Sequence, residues 1–296
     1  EGEYLVKITA PGYIDFKAYA TVTQNENTYM ETFLLVEGSE DEVGMATGTI
    51  NNALTGKGIE GVTLEVRSGW NNSEKGDIVA NITTDSSGNY NVTLPLGNYT
   101  LYAVKDGYIS TMINIIVQEG MTSSQNGTMT PTISSDSFRI VLTWGENPSD
   151  LDSHVEGMLS DGNPFHVFYN YKSQYDGDVE VCNLDVDDIS SYGPETITLN
   201  PTNENPYYYY IHRYYGFGTV ASSGAQVKVY QGGNLLATFN VPTDQGNDDY
   251  WNVFAIVMEN WLYRIQLLLT ETSATRGQEQ VNSQAISPRN LFQKRK

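Results

Sequence analysis

Thr84-Asp85-Ser86-Ser87-Gly88-Asn89-Tyr90-Asn91-Val92-Thr93-Leu94-Pro95-Leu96-Gly97-Asn98-Tyr99-Thr100-Leu101-Tyr102-Ala103-Val104-Lys105-Asp106-Gly107-Tyr108-Ile109 is the stretch that decides the fold. Asp85 to Gly88 is a run of turn formers, and Tyr90, Val92 and Leu94 then alternate with polar residues. Such alternation predicts a half-buried strand, because successive side chains point to opposite faces. Pro95 to Gly97 turns the chain into a second strand, Tyr99 to Val104, and Gly107-Tyr108 marks the next turn.

Upstream lie Gly48-Thr49-Ile50, the turn Thr55-Gly56-Lys57-Gly58, the strand Val62-Thr63-Leu64-Glu65-Val66, and Ile78 to Thr84. Short strands with turn signals between them, spaced roughly 8–12 residues apart, describe a β-sandwich. The chain also repeats itself. Gly2-Glu3-Tyr4 matches Gly97-Asn98-Tyr99, Gly12-Tyr13-Ile14 matches Gly107-Tyr108-Ile109, and Val22 falls on Val117, all at an offset of 95 residues. The first copy holds only the last strands of the module, so it is expected to leave an unpaired edge and an open core. Two explanations stand at this point: the chain continues a longer product, or a neighbouring molecule supplies the missing strands.

Composition agrees with β-structure. Among 296 residues there are 21 Tyr and 27 Gly, and no Leu- and Ala-rich helical stretch. The net charge of −20 disfavours a nucleic-acid or anionic-membrane partner. No apolar run approaches the roughly 20 residues of a membrane span. Cys182 is the only cysteine, which excludes an intrachain disulfide.

The segments GKGIEGVTLEV, TDSSGNYNVTLPLGNYTLYAVKDGYI and INIIV resemble the carboxypeptidase regulatory-like, transthyretin-like domains of bacterial surface proteins. The resemblance implies an all-β chain of tandem immunoglobulin-like/transthyretin-like β-sandwiches. It divides the chain into a half repeat with linker (1–43), a complete sandwich (44–133), an acidic Tyr-rich β-sandwich domain (134–270) and a basic tail (271–296). The third part, with LTWGENPSDLDSHV, NPFHVFYN, LDVDDISSYGPETITL and YYYYIHRY, resembles an uncharacterised extracellular bacterial domain with no settled activity.

Two acidic clusters in that third part attract notice. In an extended segment Asp150, Asp152 and His154 share one side, as do Asp185 and Asp187, with Asp188 adjoining. Like charges gathered on one side call for a counter-ion, so these six residues are candidate metal ligands. Calcium is the first choice. Zinc is second, since His154, His166 and His212 are the only histidines. An elaborate Asp-rich loop with nothing bound is the alternative.

The tyrosine strand predicts Tyr207, Tyr209 and Ile211 on the core face. Tyr208, Tyr210, His212 and Tyr214 fall on the other, a candidate surface for sugar rings or protein. Trp144, Trp251 and Trp261 are expected in the core or an interface. Host-dependent N-glycosylation signals occur at Asn71, Asn81, Asn91, Asn98 and Asn126. The chain carries no G-x-S-x-G, H-E-x-x-H, phosphate-cradling glycine loop or paired-Cys motif, and the expectation is a non-enzyme. A structural or adhesive extracellular surface protein, with self-association or other surface proteins as partners, is the leading functional expectation. An accessory polysaccharide-binding region of a larger enzyme is the alternative.

Overall fold

A computed structural model describes residues 1–22, 30, 32–38, 42–243, 246–259 and 262–267. The basic tail and Trp261 lie outside the described residues. Every regular element described is a strand. The chain divides into two compact units, Glu1–Thr132 and Ile133–Lys296.

The first unit contains β1 (Gly2–Ile8), β2 (Phe16–Val22), β3 (Val43–Asn52), β4 (Thr63–Ser68), β5 (Ile78–Thr83), β6 (Asn89–Pro95), β7 (Gly97–Val104), β8 (Thr111–Val117), β9 (Gly120–Thr122) and β10 (Gly127–Met129). Sheet β5-β4-β7-β8 faces a sheet built on β3, which pairs with β6, β9 and β10. The expected alternation is realised: Tyr90, Val92 and Leu94 of β6 pack with Leu64, Val66, Leu101, Ile113 and Ile115 in one core. Gly88 cannot be replaced cheaply, since its φ is +79° and a Cβ there would lie 2.5 Å from the Gly58 backbone.

The half repeat reproduces the complete one residue for residue. β1 pairs with β2 antiparallel in the register Gly2↔Val22, Tyr4↔Ala20, Val6↔Ala18 and Ile8↔Phe16. β7 pairs with β8 as Gly97↔Val117, Tyr99↔Ile115, Leu101↔Ile113 and Ala103↔Thr111, the same register moved by 95 residues. The closing contacts repeat too: Ile14 donates its N–H to Leu35 and Glu37 to Gly12, as Ile109 donates to Thr130 and Thr132 to Gly107. The copy therefore extends to Glu37.

Among the described residues, no strand pairs the edge of β1 that corresponds to the β4 edge of β7. As a result Tyr4 is 53% exposed where its counterpart Tyr99 is 7% exposed. What holds the hairpin is contact with the complete module. Phe16 is buried against Trp70, ring centroids 5.1 Å apart and nearly perpendicular. Trp70 donates its N–H to the Lys17 carbonyl, and Tyr19 donates its own to Trp70. Phe16→Ala is expected to cost this hairpin about 3 kcal/mol. Hydrogen exchange would show faster exchange across residues 2–22 while β6 and β7 stay protected.

The second unit contains β11 (Phe138–Thr143), β12 (Asp150–Met158), β13 (Pro164–Val167), β14 (Ser173–Asp176), β15 (Val179–Val186), β16 (Glu195–Leu199), β17 (Tyr207–Tyr215), β18 (Gln226–Gln231), β19 (Asn234–Asn240), β20 (Tyr250–Glu259) and β21 (Leu262–Leu267). Two sheets form, β14-β15-β16-β11-β18-β19 and β13-β12-β17-β20-β21. Between them lies a core of Phe138, Ile140, Leu142, Leu151, Val155, Tyr207, Tyr209, Ile211, Val227, Trp251 and Phe254, among others. Trp144 and Trp251 are both buried, as expected. Every apolar-face residue of β17 predicted from the tyrosine run is in this core.

Candidate metal centre

The site follows from the period of β12. Leu151, Ser153 and Val155 point into the core, which turns Asp150, Asp152, His154 and Glu156 to the opposite face. All four are nevertheless buried. Antiparallel pairing of β12 with β17 sets Asp152 opposite His212, His154 opposite Tyr210 and Glu156 opposite Tyr208. Pairing with β13 sets Glu156 opposite His166. The three histidines, scattered in sequence, thus share one sheet face.

The second acidic cluster arrives from the other sheet. Ser191 and Tyr192 hold left-handed φ of 77° and 68°, rare for residues with a Cβ. This conformation lets Ser191 donate its N–H to the Ser149 carbonyl and Tyr192 to that of Gly145. The loop before β16 is tied in this way to the loop before β12. Glu195, at the start of β16, has no exposed surface, and its Oε1 accepts the Ser153 N–H at 2.6 Å.

Two groups of ligand atoms result, each within 4.8 Å of one another: Asp152, His154 and His212, and Asp152, Asp187 and Glu195. Asp152 belongs to both. Buried polar atoms with no hydrogen-bond partner converge on these groups: Asp152 Oδ2, His154 Nε2, Asp187 Oδ1 and Glu195 Oε2, with Asp150 Oδ1 beside them. Unpartnered buried polar atoms are costly and rare, so five in one place require an explanation. Neither Lys172 nor His212 supplies it. Lys172 Nζ reaches only Asp187 Oδ2, at 2.8 Å, and His212 Nδ1 stands 3.7 Å from Asp152 Oδ2.

Electrostatics point the same way. Burial pushes the Asp150 carboxyl up to about 6, helped by Asp152, Asp187 and Asp188 and opposed by His212. Burial holds Glu195 well above the usual carboxylate range, with the Ser153 N–H opposing and Asp152, Asp187 and Asp150 reinforcing. His154 is held well below the usual imidazole range by burial, then by His166 and His212. It is therefore neutral at neutral pH, the form that binds a metal.

Its tautomer is also prepared. A ligating Nε2 requires the proton on Nδ1, and His154 Nδ1 has an acceptor, His166 Nε2, at 2.8 Å. Burial lowers His166 to about 4, so His166 is neutral and able to accept. Tyr210 stacks on His154 at 4.6 Å and donates its hydroxyl to Glu156 Oε1 at 2.8 Å.

The candidates read from sequence separate accordingly. Asp152, His154 and Asp187 fall in the two ligand groups, and Asp150 falls in neither. Nor does Asp185: it accepts from Asn183 and Thr198, and the nearby Arg139 charge counters part of the cost of its burial. Asp188 accepts the Ser190 N–H and hydroxyl in a local turn. His212 joins the metal group rather than a sugar-facing surface. Tyr210 is 6% exposed and belongs to the interior; of the four proposed surface residues Tyr214 is the exposed one, at 54%.

Glu195 was missed by sequence reading. The signal was present, since Glu195, Ile197 and Leu199 share the apolar face of β16 and a carboxylate there is out of place. Of the glycosylation signals, Asn98 is buried and donates its Nδ2 to the Lys17 carbonyl, which leaves no room for a glycan.

Residues 46–130 match the model of the carboxypeptidase regulatory-like domain. Carboxypeptidase D of Rattus norvegicus is 35% identical over 102 residues, which is 33% of this chain and 7% of the length of that protein. Among solved structures, a streptococcal ancillary pilin is 13% identical, with 79% of this chain and 73% of the pilin covered and a TM-score of 0.25. A putative carbohydrate-binding protein from Bacteroides uniformis is 9% identical, with 73% and 99% covered and a TM-score of 0.24.

Proposed function

We propose that the chain is a non-enzymatic structural or binding segment of an extracellular surface protein, and that its second unit binds a divalent metal ion through Asp152, His154 and His212. The observation that carries the metal reading is the convergence of these donors, with Asp152 Oδ2 and His154 Nε2 buried and otherwise unpartnered. Two imidazole nitrogens and one carboxylate oxygen are a borderline donor set, which suits zinc better than calcium. Asp152 and His154 are 1% and 6% exposed, which supports a role in holding the fold rather than in turnover.

The reading is tested by titrating zinc sulfate into the metal-free chain and into His212→Ala by calorimetry. The expected result is one tight zinc site, weakened at least about 100-fold in the variant. Equal affinity in the two proteins would remove the site.

A specific observation favours polysaccharide as the bound partner. Tyr214 is 54% exposed, its ring lies 5.2 Å from that of Tyr169, and Phe217 is 88% exposed. Exposed rings beside a polar centre suit the flat faces of sugars. The self-association reading draws instead on the β1–β2 hairpin, where Tyr4 and Leu5 are 53% and 56% exposed.

A further inference from the structure

We propose that Asp152, Asp187 and Glu195 hold a second ion, a hard divalent cation of the calcium class, with the Asp152 carboxylate bridging it to the ion at His154 and His212. The inference rests on the first ion for the bridge, since Asp152 belongs to both donor sets; Asp187 and Glu195 belong to the second alone.

Three carboxylates each offer an oxygen within 4.8 Å of the others. An acidic cluster alone would signify little, because exposed carboxylates gather on many surfaces. Here Glu195 and Asp152 are 0% and 1% exposed, and each has one buried oxygen, Oε2 and Oδ2, with no hydrogen-bond partner. Asp187 Oδ1 is likewise buried and unpartnered.

The orientation is built rather than accidental. The Ser153 N–H holds Glu195 by Oε1, and Lys172 holds Asp187 by Oδ2. Glu195 and Asp187 are each gripped by one oxygen and unpartnered at the other. A single lysine contacting one of the three cannot neutralise them, and burying like charges without a counter-ion is expensive. A cation among the free oxygens removes that cost.

The donor chemistry sets the class of ion. The first group mixes nitrogen and oxygen, whereas the second is oxygen only, which selects calcium or a similar hard cation over zinc. A carboxylate shared by two donor sets is the usual link in two-ion centres, where the ions lie roughly 3.5–4 Å apart.

The test is metal analysis of the 296-residue chain, stripped with chelator, dialysed against equimolar zinc sulfate and calcium chloride, and freed of loose ions. The expected result is one zinc and one calcium per chain. Glu195→Gln, which keeps an oxygen for Ser153, and Asp187→Asn should each lose calcium, with affinity down at least about 100-fold, and keep zinc. His212→Ala should show the reverse. One zinc and no calcium in the wild-type chain, or calcium binding undiminished in both carboxylate variants, overturns the second ion and leaves the first intact. No metal of either kind overturns both.

Discussion

Stripping divalent metal from the chain is expected to lower the melting temperature of the Ile133–Lys296 unit by about 5–10 °C, with the Glu1–Thr132 unit unaffected. An ion present at about 100 times its dissociation constant stabilises the state that binds it by about 2.7 kcal/mol. A unit of this size shifts by about 2–4 °C for each kcal/mol. Scanning calorimetry with and without chelator, the transitions assigned by hydrogen exchange of β7 and β17, makes the measurement. Asp152→Asn gives the discriminating sign. If Asp152 were a structural hydrogen-bonding residue, the variant would melt lower in every condition. As a ligand in a crowded carboxylate cluster, it should leave the metal-free protein no less stable and abolish the response to metal. Removing one buried negative charge relieves repulsion on Asp150 and Glu195, whose carboxyls are raised by burial first and by Asp152 among their neighbours.

Phe254→Ala is the second large effect. Phe254 is fully buried on β20, stacked 5.1 Å from Tyr209 on one side and 5.1 Å from Phe239 on the other. Removing a ring from a site closed by rings leaves a cavity that cannot collapse, with a cost of about 3–5 kcal/mol. The second unit should melt roughly 6–20 °C lower. Far-ultraviolet circular dichroism would follow it. Since Phe254 lies on the core face, opposite to the face that carries His154 and His212, zinc stoichiometry should stay unchanged in the variant. A loss of zinc with retained fold would mean that the core and the metal face are not separated in this way.

Much of the fold was legible because it rests on local alternation. The β6–β7 segment shows its strands, its turns and its core face in the order of residues alone, and the 95-residue repeat shows the β1–β2 hairpin, whose register the structure supplies. The tyrosine run gave the core face of β17 for the same reason. What stayed hidden was everything decided across the two sheets. Asp150 and Asp152 were visible as one face of a strand, but nothing in their sequence neighbourhood places Glu195 or His212 beside them. Sheet pairing does that, together with the left-handed turn at Ser191 and Tyr192. Asp185 shows the converse. Its spacing from Asp187 is right for a shared face, yet the strand register hands it to Thr198 and Asn183. Tyr210 alternates with the core tyrosines as a surface residue would, yet it is 6% exposed. The polar face of β17 is itself covered near His154, so alternation does not mean exposure there.

An ion held between β12 and β17 underlies the melting and variant effects expected above. A crystal of the zinc-loaded chain, measured above and below the zinc absorption edge, tests it directly. The predicted result is an anomalous peak about 2.0–2.2 Å from His154 Nε2, a His212 nitrogen and an Asp152 oxygen. A crystal grown in zinc that shows no peak there, or peaks at surface residues alone, would contradict it.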